Sequence, residues 1–298
     1  MVVAGAIDIG GTSTKIGVVA EDGSVVVRER IATSLHGEPL SLVDSIALAF
    51  RAMLARNVAA REIVGIGVSV AGFVTPDHSA MVHNANLPAL REFPLRASLQ
   101  ERLGFECRLE VDSNASTLAE LHYGAGKGVR RLLGLTIGTG IGGGVVIDGR
   151  LVRYTGECAG DLGHVIVNPG GRLCTCGARG CLEAEANSSA LSERVGGRSV
   201  KEIIETARKG DALARDALSE SGRWIGLGAA SLAALFDPDA IVIGGGIAAA
   251  HDLLLDGVRE AYLTHASPQY RDARVEGSTF DGWDGLVGAA CLYLRPTP

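Results

Sequence analysis

No run of eighteen apolar residues occurs in this 298-residue chain, so the sequence offers no membrane-spanning helix. The opening stretch MVVAGAIDIGGT lacks the charged start and the small-residue cleavage site of a secretory signal, and the expected location is the cytoplasm. Positive charge is not in excess. Lys and Arg number 28 against 34 Asp and Glu, a net charge of −6, which leaves no electrostatic footprint for nucleic acid or an anionic membrane. A small-molecule partner is expected instead. No Gly-Lys-Ser/Thr sequence is present, and the glycine run that begins at Gly138 opens a hairpin and not a helix, so P-loop and Rossmann dinucleotide sites both lose support. No low-complexity linker divides the chain.

The chain does have a crowd of metal ligands. His164, Cys174, Cys176 and Cys181 fall within eighteen residues, and three thiols with one imidazole make a complete tetrahedral zinc set. Gly170, Gly171, Gly177 and Gly180 let the short loop fold back so that all four reach one ion. Buried or disulfide-paired cysteines are the alternative reading. Four protein ligands leave no open position, so a bound ion is expected to be structural and to activate no water. Cys107, Cys158 and Cys291 are scattered and read as reduced core thiols.

The length points to two lobes, and a hydrophobic fraction of 47% can fill two cores. Residues 2–9 read as an apolar strand, Gly10-Gly11 as a turn, 15–20 as a second strand and Glu21 to Ser24 as a further turn before 25–27. A helix over 41–55 and a strand over 63–70 follow. Val111 reads as a strand end and 113–122 as a helix, which puts Asp112 at a strand-to-helix junction. The second half repeats this grammar: a strand over 131–137, a glycine elbow over 138–144, strands over 145–147 and 151–152. Helices over 200–209 and 211–235, a strand over 240–243 and a last helix over 284–294 complete the reading.

Asp8-Ile9-Gly10-Gly11-Thr12 puts a carboxylate at a strand end and a glycine turn after it. Backbone amides freed in such a turn can approach phosphate oxygens, and the Asp can hold the magnesium that accompanies a nucleotide. Gly138-Thr139-Gly140-Ile141-Gly142-Gly143-Gly144 offers a second nest, although either run alone could be only a tight turn.

These two runs, with Gly163-His164, the Cys174-Thr175-Cys176-Gly177 and Gly180-Cys181-Leu182-Glu183 stretch, and Ile243-Gly244-Gly245-Gly246, resemble the ROK family of sugar kinases and regulators over nearly the whole chain. The resemblance implies an α/β, two-lobed actin-like or hexokinase-like ATPase (ribonuclease H-like) fold, with ATP in the cleft between lobes and the sugar beside it. Residues 1–112 would form a smaller N-terminal lobe completed by a helix over 284–298, and 113–283 a larger lobe carrying the zinc loop over 164–183. By the same likeness Asp8, Gly10, Gly11, Thr12, Lys15, Gly138, Thr139 and Gly140 would meet the phosphates and Gly244, Gly245 and Gly246 the adenosine, with Mg²⁺ and a structural Zn²⁺ as further cofactors.

Phosphoryl transfer to an alcohol needs a carboxylate to accept the hydroxyl proton. Asp112 is the candidate, where the family shows an Asn-Asp pair; taken without the likeness it could equally cap the following helix. In the family pattern E-x-G-H the Glu and His contact the sugar, and the matching residues are Asp161 and His164. Glu183 matches a further sugar ligand, while Gly72 and Asn86 match weaker sugar-side positions where an ordinary loop role fits as well. Val111 stands where the family has Asn, and Asp161 where it has Glu. An unpaired buried substrate hydroxyl costs about 1–3 kcal/mol, so plain glucose has an amino sugar such as kanosamine, or a C7 cyclitol, as rivals. The expected activity is ATP-dependent transfer to the primary 6-hydroxyl of a glucose-like ring by a homodimer or larger homo-oligomer. A sugar-responsive regulator is the alternative of another class; only seven residues precede Asp8, too few for a helix-turn-helix.

Overall fold

The computed structural model describes residues 2–33, 38–57, 63–83, 87–153 and 161–295. The chain forms two compact units, one of Met1–Tyr123, Arg153–Ala159 and Trp283–Pro298, the other of Gly124–Val152 and Gly160–Gly282.

The first unit is built on β1 (Val3–Ile9), β2 (Ser13–Ala20) and β3 (Val25–Ala32), an antiparallel meander. Then come α1 (Pro39–Asn57), β4 (Ile63–Val70), the short ribbon of β5 (Phe73–Val74) and β6 (Met81–His83), α2 (Leu95–Leu103), β7 (Cys107–Val111) and α3 (Asp112–Tyr123). The sheet order is β3-β2-β1-β4-β7, with β4 parallel to β1 and β7 parallel to β4. Every residue of β1 is buried, as a strand covered on both faces must be. Its alternation divides the cores: Val3, Ile7 and Ile9 join Phe50 and Met53 of α1, while Ala4 and Ala6 face the opposite way. Helix α2 escapes a periodicity reading because only Leu95, Leu99 and Leu103 are apolar anchors, a one-residue stripe diluted by charge.

The second unit contains β8 (Leu132–Ile137), β9 (Ile141–Ile147), β10 (Arg150–Leu151), α4 (Leu182–Ala186), α5 (Ser188–Arg194), α6 (Val200–Arg208), α7 (Ala212–Phe236), β11 (Ala240–Gly244), α8 (His251–His265) and β12 (Arg274–Gly277). Its sheet order, β10-β9-β8-β11-β12, repeats that of the first unit, again an antiparallel meander followed by two parallel strands. The glycine elbow differs from the sequence reading. Gly142, Gly143 and Gly144 lie inside β9, paired with Thr136, Leu135 and Gly134, so the turn itself is only residues 138–140.

The last helix, α9 (Asp284–Leu294), belongs to the first unit and packs Leu286, Ala289 and Ala290 on Ala4 and Ala6. It comes so near that a Cβ on Gly288 would collide with the Ala115 carbonyl of α3. None of the helices among the described residues is long and apolar enough to cross a membrane.

Candidate active site

In the first unit, the sequence-predicted groups gather at the C-terminal ends of the parallel strands, the edge where open α/β sheets place their ligands. Register sets Asp8 of β1 opposite Ser69 of β4, and Val70 of β4 opposite Val111 of β7. Asp8 is almost fully buried; its Oδ1 accepts from Ser69 Oγ at 2.9 Å and its Oδ2 from Lys15 Nζ at 2.7 Å. Lys15 thus serves as the counter-ion of Asp8, on the neighbouring strand. Gly10 closes the following turn by donating to Ser13 O, and Thr12 is exposed beyond it. Gly72 follows β4 with a φ of 103°, a left-handed conformation that suits glycine. Asn86, like Cys158, lies outside the described residues.

Asp112 opens α3. Among the described residues its Oδ1 accepts from the adjacent Ser113 amide, at 2.7 Å, and not from the N2 or N3 amide that an N-cap would satisfy. Burial pushes its carboxyl up to about 7; the carboxylates of Asp8 and Asp284 add to this, and the Ser113 amide and Lys15 pull the other way. Asp284, at the start of α9, is itself raised, mainly by burial. A Cβ on Gly285 would stand 2.8 Å from the Asp8 carboxylate, so α9 presses this acid onto the cluster. Sequence reasoning missed Ser69 and Asp284. The only signal for Asp284 was its place as the first residue of an apolar helix, more than 270 positions from Asp8. Just before Asp112, the buried Glu110 accepts from Val111 N, Asn114 Nδ2 and Arg153 Nε, at 3.1, 3.0 and 2.8 Å.

In the second unit, β8 and β11 are parallel neighbours, so the turn at residues 138–140 and the glycines 244–246 lie at one sheet edge. Gly245, at a φ of 88°, packs against the backbone of Ile137. Gly138 N donates to Gly140 O at 2.8 Å and Ser188 N to Gly138 O at 2.9 Å. Thr139 and Gly140 are exposed, and among the described residues their amides have no partner. They are available to an anion.

The four sequence-predicted metal ligands converge. A zinc tetrahedron with Zn–S of about 2.3 Å and Zn–N of about 2.0–2.1 Å has edges of about 3.8 Å between sulfurs and about 3.6 Å between sulfur and nitrogen. Cys176 and Cys181 Sγ are 3.6 Å apart, Cys174 Sγ and His164 Nδ1 are 3.5 Å apart, and all four donor atoms lie within 4.8 Å of one another. The donors fit the ion. All three cysteines are free thiols, so the disulfide alternative fails.

His164 turns Nδ1 to the thiols, and its Nε2 lies 3.2 Å from Asp161 Oδ2. This is the carboxylate–histidine pair that orients an imidazole ligand. Burial raises the Asp161 carboxyl, His164 lowers it and Glu183 raises it. Each oxygen of Glu183 accepts a hydrogen bond and keeps acceptor capacity: Oε2 accepts from Ile141 N at 2.9 Å and Oε1 from Thr175 Oγ1 at 3.2 Å.

Two five-stranded sheets of one topology, each ending in a glycine turn, with a carboxylate cluster in one unit and exposed turn amides in the other, define an ATPase of the actin-like, hexokinase-like fold. Comparison with known proteins agrees and narrows the class. The profile of the ROK family matches residues 4–295, and the chain belongs to that family. It is 35% identical to a glucokinase of Streptomyces coelicolor, over 98% of each chain, and 31% identical to an N-acetyl-D-glucosamine kinase of Erwinia tasmaniensis, over 97% of this chain and 98% of that one. The crystal structure of a ROK family glucokinase from Streptomyces griseus, in complex with glucose and AMPPNP, superposes with a TM-score of 0.86 at 32% identity, covering 98% of this chain and 99% of that one.

Proposed function

We propose that this chain, an ATP-dependent phosphotransferase acting on sugars, transfers the γ-phosphoryl group to the primary 6-hydroxyl of glucose or a glucose-configured ring. The observation that carries the reading is Asp112, a carboxyl raised to about 7 at a strand-to-helix junction beside Asp8. A base with that affinity for protons is matched to neutral pH. It accepts the hydroxyl proton while the sugar oxygen bonds to the γ-phosphorus and the bond to the β-phosphate oxygen breaks, releasing ADP. The exposed amides of Thr139 and Gly140 hold phosphate oxygens. The turn of Gly10, Gly11 and Thr12 offers backbone amides of the same kind. Asp8 would hold Mg²⁺; its buried carboxylate already takes a cation, Lys15 Nζ, at 2.7 Å. When bound, that ion neutralises charge on the phosphates. His164, Cys174, Cys176 and Cys181 would hold zinc, which would have a structural task, fixing His164 and Glu183 for the sugar.

The acid limb of the rate profile tests the base. Because Asp112 is protonated below about pH 7, and a protonated carboxyl cannot take the hydroxyl proton, kcat/KM should fall about tenfold per unit as pH drops below that value. A profile flat down to pH 5 would remove Asp112 from the role.

A modified ring is supported by two particular residues. Val111 offers an apolar side chain at the end of β7, and the Asp161 carboxylate is held by His164. Both reduce the hydroxyl-specific contacts open to a sugar, while a carboxylate such as that of Asp161 or Glu183 suits an amine. A coupled ADP-release assay over hexoses, amino sugars and cyclitols decides the acceptor. Val111→Asn with Asp161→Glu should shift kcat/KM toward glucose by about tenfold, the worth of one buried hydrogen bond. If the unaltered chain already prefers glucose to every amino sugar and cyclitol, the two residues are neutral replacements.

A further inference from the structure

The metal ligands and the phosphate turn are gripped by the same two short segments. Gly163, one residue before His164, has no room for a Cβ because the Ile141 carbonyl occupies that space, and a Cβ on Gly143 would sit 2.5 Å from Leu162. Glu183, two residues after Cys181, receives the Ile141 amide on Oε2, and a Cβ on Gly140 would stand 2.6 Å from that same oxygen. The other oxygen takes the hydroxyl of Thr175, which lies between two cysteines of the cluster. Leu182 N donates to Val165 O at 2.9 Å and Ile166 bridges to Cys181, so the two segments are also tied to each other.

We propose that Glu183 is a positioning residue that couples metal loading to the phosphate turn, so that bound zinc raises the affinity for a nucleoside triphosphate even when no sugar is present. The inference rests on the kinase reading for the ligand of that turn. Ile141 N–H is the first amide after Thr139 and Gly140, and holding it fixes the direction in which those two exposed amides point. A loop without its ion frees Thr175, Thr175 frees Glu183, and the turn must then be ordered by the nucleotide at an entropic cost.

Calorimetric titration with AMPPNP, without sugar, tests this on zinc-loaded, chelator-stripped and reloaded protein. Stripping should weaken nucleotide binding about tenfold and reloading should restore it, within the roughly 5–150-fold usual for coupling between two sites. Glu183→Ala should bind nucleotide about as weakly and should no longer respond to stripping, since the two changes break one connection. Thr175→Val should show a partial loss at full zinc content. Glu183→Gln, which keeps an acceptor for Ile141, should stay within about threefold of the parent. Equal nucleotide affinity in loaded and stripped protein, both folded by circular dichroism, overturns the coupling, as do losses from stripping and Glu183→Ala that multiply. If the stripped protein unfolds, Thr175→Val with full zinc and unaltered nucleotide affinity overturns it instead. If loaded wild-type protein binds no nucleotide, the kinase reading fails and the coupling with it, an outcome distinct from the others.

Discussion

Asp112→Asn should lower kcat by roughly 10²–10⁴ while nucleotide affinity stays close to that of the parent. The amide preserves the shape of the side chain and can still accept from Ser113 N, so α3 keeps its first turn; what it loses is the ability to take a proton. A change in fold is not expected to confuse the result. The Asp112 carboxyl is raised from 3.8 to about 7 in the folded chain, which means that folding disfavours its ionisation. With the folded value above the unfolded one for an acid, the unfolded chain binds fewer protons between about pH 4 and pH 7, and stability falls as pH rises through that window. The neutral amide removes that loss together with the repulsion from Asp8 and Asp284, so the variant should melt no lower than the parent at pH 8. Steady-state kinetics and calorimetry at that pH check both halves. A variant that keeps most of its turnover would leave Asp112 a structural residue of the helix start.

Cys176→Ser should cost the protein its zinc, part of its thermal stability and much of its sugar affinity at once. The parent should carry about one zinc per chain, and loss of one ligand of four weakens the metal by at least the 10–100-fold seen for partners that only support ligands. Cys176 is the informative choice because it is exposed, whereas Cys174 and Cys181 are buried. Serine there opens no cavity, so a lower Tm reports the ion. Each kcal/mol lost should shift Tm by about 2–4 °C in a chain of this size. Sugar affinity should follow because His164 and Glu183 lose their support, which equilibrium binding of glucose or a preferred analogue measures directly. Metal-free protein with unchanged sugar affinity would remove the structural role assigned to zinc.

Local chemistry is legible in the residues themselves. The spacing of His164, Cys174, Cys176 and Cys181 specifies a ligand set because a short glycine-bearing loop has few other ways to be useful, and the four donors meet. Asp8 and its glycine turn, the strand-to-helix junction at Asp112 and the repeated meander each depend on residues close together in sequence, where period and turn chemistry dominate. The glycine run is the exception, since composition makes the turn longer than it is. Glycine is tolerated in a strand when a neighbour needs the space, and Gly143 gives way to Leu162, so β9 begins at Ile141.

What only the tertiary structure decided are the partnerships made across long stretches of chain. Sheet register brought Ser69 to Asp8, and the return of α9 brought Asp284 to the same cluster; burial first, and then the carboxylates of Asp8 and Asp284, raise the proton affinity of Asp112. Loop closure gave Nε2 of His164 to Asp161 and the Ile141 amide to Glu183. A sequence specifies which atoms can donate and accept, since that is fixed by side-chain chemistry. Which donor meets which acceptor depends on burial and on distances set by the packing of whole sheets and helices, and these exist only once the chain is folded.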